Sequence, residues 1–137
     1  KVACLIDTSG SCVSDVEKFM SELNALVSSF GDYSMMVYEC DTEIKNITHY
    51  DNSNPFPIND VSKMRLHGGG GSDFRPAFDK ICEDLSNDGD AYNVIVAFTD
   101  GYIDVPKYNN TDKDIIWVLT NDGRKPCDYG TAIQFND

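Results

Sequence analysis

Three stretches of this chain carry side chains that can hold a hard cation. Asp7-Thr8-Ser9-Gly10-Ser11 sets a carboxylate and two hydroxyls at alternate positions, and alternate residues of an extended or turning backbone face the same way. Ser72, directly after the glycines at 68–71, offers a third hydroxyl, and Asp100 in Thr99-Asp100-Gly101 a second carboxylate. All five donors are hard oxygens, suited to Mg²⁺, Mn²⁺ or Ca²⁺ and unsuited to zinc or copper. Mg²⁺ takes six ligands at about 2.0–2.1 Å and usually keeps some waters. If either Asp acts through a water, three neutral hydroxyls leave the ion poor in direct negative charge. Such an ion stays electrophilic and keeps a position for an outside ligand, most simply a carboxylate from a partner protein. That chemistry is recognition more than catalysis.

The elements around these residues place them together. Val2-Ala3-Cys4-Leu5-Ile6 is a continuous apolar run ending at Asp7, the pattern of a strand buried on both faces. Ser14 with Glu17 forms a capping box, and Val16, Phe19, Met20, Leu23, Leu26, Val27 and Phe30 recur at helical spacing before Gly31. A second strand follows over residues 33–38, and a thinly alternating one over 43–50 predicts an antiparallel hairpin edge. Residues 51–57 form a loop, and 61–66 carry no clear signal. After the glycines, Phe74, Phe78, Ile81, Cys82 and Leu85 mark one helical stripe, with Pro76 in its first turn. Residues 92–99 form the central strand, residues 115–119 another, and Thr131, Ile133 and Phe135 alternate in a last short one. The stretch 105–113 scarcely holds a helix. The order β-α-β-β-α-β-β-β predicts an α/β fold with a Rossmann-like, mostly parallel, doubly wound sheet and one antiparallel edge strand. Ligands of such sheets bind beyond the carboxyl ends of the strands. Both buried strands end in Asp, and the glycine loop enters a helix, so three loops converge on one rim.

The bulk composition fits this picture. With 137 residues there is room for one domain and one core. Lys and Arg number 11 against 23 Asp and Glu, a formal charge of −12. That argues against nucleic acid and anionic lipid as natural partners, since both need basic side chains to displace counterions. No segment is long or apolar enough to cross a membrane. The five cysteines are odd in number, form no C-x-x-C and are scattered among apolar residues, as in a reduced, cytoplasmic protein. The chain starts at Lys1 and enters an apolar run at Val2, which reads as a single domain, 1–137, excised from something longer.

Asp-x-Ser-x-Ser after the first strand, a glycine-rich loop ending in a hydroxyl residue, and Thr-Asp-Gly after the central strand together resemble the metal-ion-dependent adhesion site of von Willebrand factor A (VWA) domains. More narrowly, the stretch from Gly68 through Ser72-Asp73-Phe74-Arg75-Pro76-Ala77-Phe78, followed by Phe98-Thr99-Asp100-Gly101-Tyr102-Ile103-Asp104, is similar to the VWA-like domain found behind a metallopeptidase-like region in bacterial and phage proteins. The resemblance spans nearly the whole chain. It implies a compact VWA-like fold and a Mg²⁺-dependent protein-binding site, with Asp7, Ser9, Ser11, Ser72 and Asp100 at the ligand positions. Ser72 stands where the family usually has Thr, keeping the donor without the methyl group.

Blander readings stand beside these. Taken alone, Asp7 and Ser11 are common turn and cap residues; it is their combination with Ser72 and Asp100 that favours a metal. Asp73 reads as a helix cap, and Asp104 as a loop acid or an outer hydrogen-bond acceptor. The glycines lack the Gly-Lys-Ser/Thr ending of a P-loop. His67 reads as a loop residue, His49 as a solvated edge residue, Cys12 as a packed thiol, and Trp117 as core. The leading expectation is therefore a metal-dependent binding module with no enzymatic activity of its own. The alternatives are a metal-dependent hydrolase or phosphatase using Asp7, and a scaffold whose site is vestigial. Aspartate-nucleophile phosphatases carry a second Asp two residues on, where this chain has Ser9. Any catalysis by a longer protein would then lie in its other regions.

Overall fold

The unbroken apolar run of residues 2–6 forms the centre of the molecule. A computed structural model describes residues 1–7, 21, 25, 32–40, 43–53, 73–119 and 123–134. Six strands form one sheet: β1 (Val2–Asp7), β2 (Ser34–Cys40), β3 (Ile44–Asp51), β4 (Val94–Thr99), β5 (Asp114–Leu119) and β6 (Thr131–Gln134). Their order is β3-β2-β1-β4-β5-β6. Every pair is parallel except β2 with β3, which is antiparallel and carries a register irregularity between Glu39 and Cys40. The mostly parallel sheet with one antiparallel edge strand is the one the sequence predicts. Of the expected first helix, Ser21 and Ala25 are helical; the rest of that segment, with Ser9, Ser11, Cys12 and Ser14, lies outside the described residues, as do His67, the glycines at 68–71, Ser72 and Phe135.

Period-two alternation sorts the sheet into two faces. Ala3 and Leu5 of β1 lie on the same face as Tyr38, Cys40, Ile95, Ala97, Ile115, Trp117 and Leu119, all buried in one cluster. Helix α1 (Arg75–Asn87) supplies Ala77, Phe78 and Ile81 to that cluster, joined by Phe74 just before it. The spacing 74, 77, 78, 81 is one helical stripe, and Pro76 sits in the first turn, where its missing N–H is no loss. Trp117, fully buried, packs its ring 6.1 Å from that of Phe78 and donates its indole N–H to the Tyr129 carbonyl at 3.0 Å. On the opposite face Cys4, Ile6, Met35, Val37, Val96 and Phe98 are also buried, so the central strands are covered on both sides, as their continuous apolar sequence requires.

One feature departs from the sequence pattern and a second, the crossover from β4 to β5, follows it. Thr131 and Ile133 lie in the expected last short strand, yet the side of β6 that alternation would turn inward is not buried: all four of its residues are exposed, Ile133 included at 53%. An edge strand pairs on one side only, and β6 gains its place from backbone pairing with β5, not from burial. The crossover from β4 to β5 contains no helix. Its turn is built by side chains instead: Asn109 donates to the Lys113 carbonyl at 2.7 Å and accepts from the Thr111 N–H at 3.0 Å and hydroxyl at 2.6 Å.

A candidate metal centre at the carboxyl ends of β1 and β4

In the order β3-β2-β1-β4-β5-β6 the chain runs outward from β1 on one side and from β4 on the other. The two central strands are therefore the topological switch point, where open α/β sheets leave a crevice beyond their carboxyl ends. Asp7 ends β1, and Asp100 directly follows β4. Leu5 stands beside Ala97 in the register, so one step of two residues further carries Asp7 to the level of Thr99 on the same face. There Thr99 donates its hydroxyl proton to Asp7 Oδ2 at 2.7 Å. Both residues are fully buried. A carboxylate that continues a core row of Ala3 and Leu5 is costly to bury without polar partners, which Thr99 partly supplies.

The turn after β4 is held in detail. The Gly101 N–H donates to Thr99 Oγ1 at 3.1 Å, and the Tyr102 N–H to Asp100 Oδ1 at 3.0 Å. The Arg124 N–H donates to the Asp100 carbonyl at 2.9 Å, tying the segment before β6 to this turn. The Arg124 guanidinium then lies 4.6 Å over the Tyr102 ring. Tyr102, Ile103, Asp104 and Arg124 line a shallow groove of about 330 Å³ beside the turn.

The start of the segment leading into α1 reaches the same region. Asp73, the residue after Ser72, forms a parallel bridge with Asp104, and the Phe74 N–H donates to the Asp104 carbonyl at 2.9 Å. The sequence reading of Asp73 as the helix cap needs correction in detail. The N-cap residue is Phe74, without a side-chain cap. Asp73 accepts instead from the Arg75 N–H at 3.0 Å and from its guanidinium at 2.8 Å. Those hydrogen bonds from Arg75 hold its carboxyl below the ordinary value. Asp104 contributes backbone, linking the glycine-loop end to the turn after Asp100.

Of the five expected ligands, the structure thus describes Asp7 and Asp100, at the ends of neighbouring central strands and joined through Thr99; Ser9, Ser11 and Ser72 lie outside the described residues. Among the described residues no three His, Cys, Asp or Glu side chains gather into a metal cluster. The two carboxylates at the rim are hard oxygen donors, which fit a hard divalent cation rather than zinc or copper. Cys4 and Cys40 are buried thiols of the core, and burial pushes the Cys4 thiol far up. Sequence reasoning misses Thr99, which reads as the last residue of an apolar strand, and Glu39. Glu39 is 2% exposed near the carboxyl end of β2, where Asn46 donates to its Oε2 at 2.6 Å. An acid inside the run from Met35 to Cys40 was the available signal.

A mostly parallel α/β sheet with acidic strand ends at its switch point defines a Rossmann-like VWA-type domain. The chain belongs to the family described as VWA-like domain (DUF2201), which matches residues 2–136. It is similar in fold to a solved von Willebrand factor type A structure from Catenulispora acidiphila, with a TM-score of 0.62 at 15% identity, covering 99% of this chain and 38% of that one. Among curated proteins none matches this chain in sequence. No helix among the described residues is long and apolar enough to cross a membrane.

Proposed function

We propose that this domain is a Mg²⁺-dependent protein-binding module, with Asp7, Ser9, Ser11, Ser72 and Asp100 as its ligands and an acidic side chain of a partner completing the coordination. The observation that carries this reading is the fully buried Asp7 carboxylate, hydrogen-bonded to Thr99 at the switch point and followed across the rim by Asp100. When bound, the ion supplies a Lewis-acidic position to which an external carboxylate adds. The chain's own residues do the rest. Asp7 is anchored by one oxygen, Asp100 is presented by a turn with fixed hydrogen bonds, and the serine hydroxyls add donors without charge. Mn²⁺ and Ca²⁺ satisfy the same hard-oxygen chemistry. A net charge of −12 favours the cation and disfavours a partner that docks without one, since two acidic surfaces repel.

We read the domain as a binder and not an enzyme because Ser9 occupies the position where an aspartate nucleophile would need its acid/base partner. Titration of Mg²⁺ into wild type and Asp7→Ala tests the proposal. Binding by wild type, lost in the variant, is expected; identical affinity in both removes it. Mg²⁺-dependent turnover of a phosphate ester, abolished by Asp7→Asn, would instead establish a hydrolase.

A further inference from the structure

Thr99 belongs to no expected ligand set, yet its hydroxyl sits at the junction of the two acid-bearing segments. It is fully buried, gives a hydrogen bond to Asp7 Oδ2 at 2.7 Å and receives one from the Gly101 N–H at 3.1 Å. A hydroxyl has one proton and two lone pairs. An N–H can only donate and an ionised carboxylate can only accept, so the proton must point to Asp7 and a lone pair to Gly101. The bond therefore has one polarity, and the oxygen cannot turn without breaking both contacts. Residues 99–101 close as a hydroxyl-capped turn with Asp100 at its apex. One oxygen atom thus restrains the carboxylate of Asp7 and the backbone that presents Asp100.

We infer that Thr99 is a positioning residue for the metal centre: it fixes Asp7 and Asp100 relative to one another. This rests on the Mg²⁺-binding reading above. The hydrogen bond from Thr99 holds the Asp7 carboxylate in one orientation, and without it the carboxylate has to be ordered again when an ion binds. Outer hydrogen-bond partners of this kind are worth about 10–100-fold in metal affinity when removed. Valine is the near-isosteric replacement that deletes both contacts, and serine keeps both.

The test measures Mg²⁺ binding by calorimetry, and Mn²⁺ binding by the loss of its free-ion paramagnetic signal, on the whole chain carrying Thr99→Val, Thr99→Ala or Thr99→Ser. Thermal unfolding in chelator is recorded for each. The valine and alanine variants are expected to bind about 10–100-fold more weakly, and the serine variant to match wild type within a few-fold even if its melting temperature falls. Serine that follows valine in affinity, or valine that binds like wild type, overturns the inference while leaving the Mg²⁺ site standing. Wild type that binds neither ion overturns the site itself and the role of Thr99 with it. Should valine and alanine fail to fold, the Thr99 hydroxyl proton decides. Slow exchange with solvent in the Mg²⁺-loaded wild type is expected, and free exchange overturns the inference.

Discussion

The carbonyl oxygen of Arg124 stands where a side chain on Gly101 would begin. A Cβ built on Gly101 would lie 1.5 Å from that oxygen, and Gly101 holds φ at +85°. The Arg124 N–H meanwhile donates to the Asp100 carbonyl at 2.9 Å. Two backbones therefore meet with nothing between them, at the residue that follows a candidate ligand. The glycine of Thr-Asp-Gly is required here for conformation and for closeness at once.

Gly101→Ala is accordingly expected to destabilise the fold. The left-handed backbone alone costs about 1–2 kcal/mol, and displacing the Arg124 backbone adds about 1–3 kcal/mol of overpacking. Urea unfolding should show a lower midpoint at unchanged slope, together with weaker Mg²⁺ binding as Asp100 is displaced. A midpoint equal to wild type would contradict the contact.

Metal binding should register as stability. A ligand that binds only the folded state at 100 times its dissociation constant adds about 2.7 kcal/mol. Mg²⁺ should raise the unfolding midpoint of wild type, and chelator should return it. Asp7→Ala and Asp100→Ala should respond to neither addition. A wild-type midpoint indifferent to Mg²⁺ over the millimolar range would count against the proposed function.

Tyr38, Tyr92 and Asp84 form a partly buried polar knot between β2, the segment before β4 and α1. Tyr38 donates to Asp84 Oδ2 at 2.9 Å, its hydroxyl meets that of Tyr92 at 2.5 Å, and Lys80 pairs with Asp84 at 3.2 Å. Burial is the largest cause raising both phenols above their ordinary value of 10.0. Below pH 10 both folded and unfolded chains hold these protons, and the stability contribution is complete. As pH climbs past 10 the unfolded chain ionises first. Stability then falls, by about 1.4 kcal/mol per pH unit for each phenol that ionises only on unfolding. Tyr38→Phe should cost about 1–3 kcal/mol at neutral pH through the partners left behind, and should flatten the alkaline loss. Denaturant midpoints from pH 8 to 11 in both proteins check this; parallel profiles would refute it.

Asn109 stands in for a helix in the crossover to β5. Asn109→Ala removes the bond to the Lys113 carbonyl and the acceptor of Thr111, so a loss of about 1–3 kcal/mol is expected. Asp112, at φ 60°, lies inside the same turn, and its release should speed proteolytic cleavage between 105 and 113. Cleavage at the wild-type rate would show that the backbone holds itself.

Much of this architecture is readable along the chain because it rests on local periodicity. Val94-Ile95-Val96-Ala97-Phe98 reads as a short strand buried on both faces, and residues 95–98 are buried in β4; residues 74, 77, 78 and 81 share one helical stripe. The aspartates that end the apolar runs of β1 and β4 are visible for the same reason, since a charge after a core strand marks the strand's exit to the rim. Sequence could not show that β6 would lie exposed on both faces, because alternation records a capacity for burial and not the neighbour that provides it.

Residue types and their order by themselves determined the α/β class, the antiparallel edge at β3, and the delivery of Asp7 and Asp100 to the same end of the sheet. Only the tertiary structure decided that Thr99 bonds Asp7 across 92 residues of chain, that Gly101 presses on Arg124, and that Asp104 bridges to Asp73. Those contacts depend on strand order and register, which arise from the packing of distant segments. A local pattern specifies which face a side chain takes, but the partner it meets there is set by which strand comes to lie alongside.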